Sequence, residues 1–290
     1  MNQVIDAAIS RYRSVIRTGL GVPGSDGAGV KMTRVLGSND INMLDPFLML
    51  DEFRSDEPRD YLAGFPDHPH RGFDTVTYML AGSMRHKDNH GHEGVIEPGG
   101  IQWMRAGRGI IHSEMPEQEA GLMWGFQLWI NLPGDKKMSA PAYQEFDKNE
   151  IPAETHADGA VIRVIAGTTL QGTSGPVKNI PTNPLYLDIE LPEGVEVQQT
   201  IPVDANAFVY VYEGTAEVVS DAQPMQLERG LLGVFGDGDG VHLRGAGART
   251  RLLLLAARPL REPVAWAGPF VMNTRAEIMQ AFQDFNNGLF

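Results

Sequence analysis

The sequence predicts an all-β fold of two tandem β-barrels, and three observations carry that expectation. Short apolar and β-branched runs end repeatedly at glycine or proline, whose 33 and 19 copies are spread along the chain rather than pooled. Helical periodicity is scarce outside the C-terminal end. A strand–glycine–strand unit occurs twice, with its glycines at Gly82 and Gly214, 132 residues apart. The length of 290 residues suits two domains of roughly 150 residues each, and a chain of this size buries a full core without covalent staples.

Taken in order, the elements are as follows. Residues 1–30 are the least legible: Ile5, Ile9, Tyr12 and Ile16 have helical spacing, but a loose tail fits as well. Thr75–Leu80 reads as a strand stopped by Ala81-Gly82-Ser83. Arg85–Glu93 is rich in turn residues and reads as a solvated hairpin loop, with His86, His90 and His92 on it. Gly107-Arg108-Gly109 is the tight turn that feeds Ile110-Ile111-His112. Pro133–Pro152 reads as the connection between halves, giving an N-terminal domain of 1–133 and a C-terminal domain of 134–290. Leu185, Leu187, Ile189 and Leu191 alternate with polar or aromatic neighbours, and Ala207–Tyr212, Leu231–Phe235 and Arg251–Ala256 read as further strands. Gly236-Asp237-Gly238-Asp239-Gly240 lacks the terminal Glu of a twelve-residue calcium loop and reads as a turn. At the end, Thr274 as N-cap and Glu277 at N3 form a capping box for a short helix that sets Ile278, Ala281, Phe282 and Phe285 on one face.

Composition narrows the chemistry. There is no cysteine, which removes disulfides, zinc–thiolate sites, iron–sulfur clusters and thiol nucleophiles together. A net charge of −13 opposes non-specific nucleic-acid binding. No apolar leader precedes the first strands, and Leu252–Ala257 is too short to span a bilayer, so a soluble cytoplasmic protein with no membrane partner is expected. No P-loop and no G-x-S-x-G elbow appear.

What remains is histidine. Six of the eight fall between positions 68 and 112. His68-Pro69-His70 and His112-Ser113-Glu114 each place two donors at i and i+2, which an extended segment turns to one face. Two such strands meeting inside a barrel present three imidazoles and a carboxylate to one point, a donor set suited to Fe, Mn, Co, Ni, Cu or Zn that leaves coordination positions open for substrate or dioxygen. Phe53, Phe73, Trp103, Trp124, Phe126 and Trp129 surround this half; most belong to the core and some line a pocket above the metal. Gln127 and Asn131 follow the second motif and either orient the ligands or are ordinary strand polar residues. Arg71, Arg105 and Arg108 flank the motifs, as a basic rim or as ion pairs with acids such as Asp67 and Asp74.

At these residues the sequence resembles the pirin family of the cupin superfamily. The resemblance lies in Leu44-Asp45-Pro46-Phe47-Leu48, in Gly64 to Phe73 around His68 and His70, in Gln102-Trp103-Met104 with Ala106 to Ile110 and His112-Ser113-Glu114-Met115-Pro116, and in Gly268 to Thr274. It implies a bicupin: two jelly-roll barrels and a C-terminal helix. It also implies one mononuclear divalent metal, most often Fe(II), on His68, His70, His112 and Glu114, and a second barrel without metal. Aligning Gly214 with Gly82 puts Thr200 and Pro202 at the places of His68 and His70. Bacterial members resemble quercetin 2,3-dioxygenases, which implies a flavonol and O2 as partners and Glu114 as catalytic base. The alternative that the resemblance leaves open is a redox- or metal-sensing interaction protein with a protein partner.

Overall fold

The computed structural model describes residues 9–38, 40–221 and 223–290. They form two compact units, one of residues Leu20–Ile151, Pro176–Asn183 and Arg258–Phe290, the other of Pro152–Gly175 and Pro184–Ala257 with the described part of Met1–Gly19. Ile5 lies outside the described residues; the neighbouring Ile9, Tyr12 and Ile16 are not helical, and a strand begins at Val15.

Each unit is a cupin barrel of one larger and one smaller sheet, with strands numbered in chain order. In the first unit the larger sheet runs β12 (Ala142–Phe146), β9 (Ile101–Arg105), β6 (Phe73–Ala81), β11 (Met123–Asn131), β4 (Phe47–Ser55), β3 (Val30–Leu36), β2 (Val22–Asp26). Its smaller sheet runs β5 (Phe65–His70), β10 (Ile110–Pro116), β7 (Met84–Asp88), β8 (Glu93–Ile96). In the second unit the larger sheet is β1 (Val15–Leu20), β20 (Leu231–Phe235), β17 (Asn206–Glu213), β22 (Arg249–Ala257), β15 (Leu185–Pro192), β14 (Val161–Ala166), β13 (Ala153–Thr155). Its smaller sheet is β16 (Glu196–Thr200), β21 (Gly240–Gly245), β18 (Thr215–Val219), β19 (Met225–Glu228). The two orders correspond strand for strand, β9 to β20, β6 to β17, β11 to β22 and so on. The internal repeat expected from Gly82 and Gly214 is therefore a repeat of topology.

Three expectations change. The units interleave, so a single cut after residue 133 does not describe them. Strand β1 completes the second unit's larger sheet, while the hairpin β23 (Ala265–Ala267) and β24 (Phe270–Met272) and helix α1 (Arg275–Asn286) belong to the first. Within 133–152, β12 pairs with β9 through Ala142↔Arg105 to Phe146↔Ile101, so that stretch is not only a connection. Arg85–Glu93 is a loop only at residues 89–92, the hairpin turn between β7 and β8 that carries His90 and His92; Met84, His86 and Asp88 are buried and alternate with Arg85 and Lys87 on β7. The helix is as expected, with the capping box of Thr274 and Glu277 formed. Ile278 and Ala281 are buried, whereas Phe282 is 40% exposed.

The cores differ. In the second unit the strands pack a continuous apolar cluster that includes Val164, Leu187, Ile201, Val209, Val241, Leu243 and Leu254. In the first unit apolar clusters gather around Phe53, Met79 and Met84 and around Leu48, Phe73 and Trp129. Between them lie buried polar side chains, among them Asp51, His70, Thr77, His86, Gln102, His112 and Glu114.

Candidate metal centre

Strands β5 and β10 pair antiparallel with His112 opposite His68 and Ile110 opposite His70. Pro69 lacks an N–H but sits on the outer strand of the smaller sheet, where none is needed. The i, i+2 spacing of His68 and His70 and the cross-strand register bring three imidazoles together. Their ring centroids lie 4.3 Å (His68 to His112), 4.7 Å (His68 to His70) and 5.0 Å (His70 to His112) apart, and their ligand atoms all fall within 4.8 Å of one another.

The free nitrogens fit an ion. His68 donates from Nδ1 to the Pro66 carbonyl at 2.8 Å, which leaves Nε2 as the donor. His112 Nδ1 meets His86 Nε2 at 2.9 Å, so its Nε2 is the remaining donor. His112 Nε2 and His70 Nδ1 are buried and have no hydrogen-bond partner, a costly arrangement unless something else satisfies them. Burial, reinforced by the neighbouring imidazoles, holds His70 and His112 well below the ordinary histidine pKa. Both rings are therefore neutral at pH 7, the form that binds metal.

Glu114 projects from β10 on the same face as His112 but stands outside the three-histidine group. Its Oε1 accepts from Thr77 Oγ1 at 2.9 Å and its Oε2 from Gln127 Nε2 at 2.8 Å. Each oxygen keeps a further lone pair. Gln127 is in turn fixed by Trp129, whose Nε1 donates to Gln127 Oε1 at 3.0 Å. Gln127 thus has the orienting place considered for it. Asn131 does not: its Oδ1 accepts from Lys137 Nζ at 2.5 Å. Lys137 is itself buried, and it also donates to the carbonyls of Gly72 at 2.7 Å and Val271 at 2.9 Å, tying β11, the start of β6 and β24 together.

No basic rim forms. Arg71 is buried and pairs with Asp284 at 2.7 Å, Arg105 pairs with Asp74 at 3.2 Å, and only Arg108 is exposed. Asp239 in the glycine-rich turn accepts from the backbone N–H groups of Ser10 and Arg11, which accounts for its carboxylate without calcium.

His86 is the residue that a reading by loop composition misses. It is fully buried on β7, directly opposite Glu114, and supports His112. Behind it Tyr143 on β12 donates to Asp88 Oδ2 at 2.7 Å. Strict alternation in Met84-Arg85-His86-Lys87-Asp88 was the available signal.

The group opens onto a cavity of about 650 Å³, within the range of small-molecule sites. Besides His68, His70 and Gln127, its walls include Phe53, Phe65, Trp129 and Trp266, with Arg34 and Asp51 to one side. As expected, all six aromatics named from the sequence are buried, and two of them, Phe53 and Trp129, face the cavity.

A bicupin whose first barrel holds a three-histidine group under an aromatic cavity is the class that fold and site define. Comparison with known proteins agrees. The Pirin family profile matches residues 29–130, and the profile described as the pirin C-terminal cupin domain matches residues 186–290. A pirin-like protein of Caulobacter vibrioides is 56% identical over 279 residues, 96% of this chain and 99% of that one. The crystal structure of a quercetin 2,3-dioxygenase from Acinetobacter baumannii superposes with a TM-score of 0.88 at 32% identity, covering 96% of this chain and 98% of that chain. A bacterial pirin from Escherichia coli, crystallised in complex with nickel(II), shares the fold at a TM-score of 0.64 and 17% identity, over 83% of this chain and 99% of that one. The chain belongs to the pirin family. Among the described residues no helix is long and apolar enough to cross a membrane.

Proposed function

We propose that the protein is a metal-dependent dioxygenase that opens the heterocyclic ring of quercetin or a related flavonol. Both atoms of O2 enter the opened product, and one ring carbon leaves as carbon monoxide. The observation that supports this most directly is the pair of buried, unpartnered nitrogens, His70 Nδ1 and His112 Nε2, beside an aromatic-walled cavity.

His68, His70, His112 and Glu114 would hold one divalent ion, Fe(II) first, with Ni, Mn, Co, Cu and Zn suited to the same donors. When bound, the ion supplies Lewis acidity and a template for substrate and dioxygen. The protein's own part is threefold. Thr77 and Gln127 hold the Glu114 carboxylate, which would take the proton of the flavonol 3-hydroxyl. Phe53, Phe65, Trp129 and Trp266 receive the planar rings and exclude water. His86 keeps His112 turned toward the ion.

The test is turnover. Apoprotein is loaded anaerobically with each metal in turn, quercetin and O2 are added, and flavonol absorbance and carbon monoxide are followed together. The expected result is metal-dependent loss of quercetin with matching carbon monoxide, reduced about 100-fold or more by Glu114→Gln. Absence of turnover in protein shown to be loaded would overturn the proposal and favour the metal-sensing interaction protein.

A further inference from the structure

Five successive register partners in the larger sheet of the first unit are polar: Gln102, Thr77, Gln127, Asp51 and Arg34 on β9, β6, β11, β4 and β3. The corresponding row of the second unit is Gly233, Val209, Leu254, Leu187 and Val164, and its last four members lie in the apolar core. The same topology therefore folds without any of these polar groups. Buried ion pairs seldom improve on apolar residues of similar volume, so folding alone does not explain the row.

Part of it serves Glu114, through Thr77 and Gln127. Asp51 and Arg34 do not. Asp51 is buried, and Arg34 gives it a two-pronged contact, Nε to Oδ1 at 2.9 Å and Nη2 to Oδ2 at 2.8 Å. The hydrogen bond to Asp51 also raises the Arg34 pKa and keeps it charged. Asp26 Oδ2 lies 3.7 Å from the same Nη2. No protein partner of Arg34 Nη1 is found among the described residues, and Arg34, Asp51 and Asp26 all line the cavity that His68 and His70 line. Neighbouring strands are about 4.8 Å apart, so Arg34 on β3 stands roughly 10 Å across the sheet from β11, which carries Gln127. That is about the length of a two-ring aromatic.

We propose that Arg34, held in place by Asp51, is the specificity-determining residue for the distal end of the substrate, where it reads a phenolic hydroxyl. A hydroxyl suits both signs of charge present: its oxygen accepts from Arg34 Nη1 and its hydrogen donates to the Asp26 carboxylate. A carboxylate would face Asp26 and Asp67, both on the cavity wall. This inference rests on the flavonol reading of the metal end and names the substrate feature that the other end selects.

The probes are 3-hydroxyflavone and 3,4′-dihydroxyflavone, which differ only in the distal hydroxyl. Their dissociation constants are measured anaerobically on metal-loaded full-length protein by quenching of tryptophan fluorescence. The wild type is expected to bind the dihydroxy compound about tenfold or more tightly, the strength of a hydrogen bond to a charged group. Arg34→Val/Asp51→Leu transplants the Val164–Leu187 pair of the second barrel, so no lone charge is left buried. In this variant, loaded to the wild-type metal content, the preference should fall to about one. Arg34→Lys is the second variant, because a single ammonium loses the two-pronged contact; its preference should fall as well. Equal binding of the two probes by the wild type overturns the Arg34 proposal alone, as does a preference that survives both substitutions. Failure of both probes to bind the wild type overturns the flavonol reading and this inference with it.

Discussion

The two barrels share one strand order and differ in what fills them. By register, the places of His68, His70, His112 and Glu114 are taken in the second barrel by Gln199, Ile201, Val241 and Leu243, and that of His86 by Val218. Gln199 is bound to backbone, accepting from Leu170 N and donating to the carbonyls of Thr168 and Thr200. The second barrel shows this topology with an apolar interior: leucine, valine and isoleucine at native packing. The first keeps histidines, a glutamate and an ion pair in the same positions and loses part of that apolar cluster. Buried polar groups of this kind are retained where they perform chemistry.

The comparison can be broken from either side, and the largest effect is expected from exchanging one position. Gln127 and Leu254 are counterparts. Leu254→Gln places an amide in an apolar core and should destabilise the protein by about 3 kcal/mol in chemical denaturation. Gln127→Leu should cost less stability and instead weaken metal binding and turnover, because Glu114 Oε2 loses its donor. Equal destabilisation by the two would mean that the polar row of the first barrel is structural.

A smaller effect is expected at His86. His86→Phe fills the same space without an acceptor for His112 Nδ1–H. Metal affinity should fall about 10- to 100-fold in a competitive chelator titration, with the fold retained. A changed Co(II) absorption spectrum would report the altered ligand directly. Unchanged affinity and spectrum would remove His86 from the site.

The smallest effect concerns pH. Burial lowers the pKa of His70, His86 and His112 below the ordinary value of 6.5. In apoprotein the unfolded chain takes up protons near 6.5 while the folded chain resists them. Stability is therefore complete above that pH and declines as the pH falls below it. Replacing all three by the second barrel's residues, His70→Ile, His86→Val and His112→Val, should flatten the profile between pH 6.5 and 5. A profile of the same slope in that variant would place the acid sensitivity elsewhere.

Much of this was legible in the chain itself, for local reasons. His68, His70, His112 and Glu114 declare themselves because an i, i+2 pair on an extended segment must share a face. The C-terminal helix does so because its capping box lies within four residues. Register across the sheet was less legible. Aligning on Gly82 and Gly214 predicts Thr200 and Pro202 as counterparts of the histidines, but pairing with β21 places Gln199 and Ile201 there. The stretch from Ile201 to Val209 is one residue longer than that from His70 to Thr77, which is enough to turn the opposite face inward. Arg34, Asp51 and Trp266 could not be assigned to the cavity from sequence, because only the order of strands in the sheet and the return of residues 265–272 bring them beside His70. His86 was concealed by composition: a strand whose outward residues are Arg85 and Lys87 looks like a loop until its period is counted.

The most direct test of the contrast between the barrels is anomalous diffraction at the iron edge from crystals of Fe(II)-loaded protein. One anomalous peak per chain is predicted, at bonding distance from His68 Nε2, His70 Nδ1 and His112 Nε2 and absent in His68→Ala/His112→Ala. A peak inside the second barrel, or full occupancy in the double variant, would contradict it.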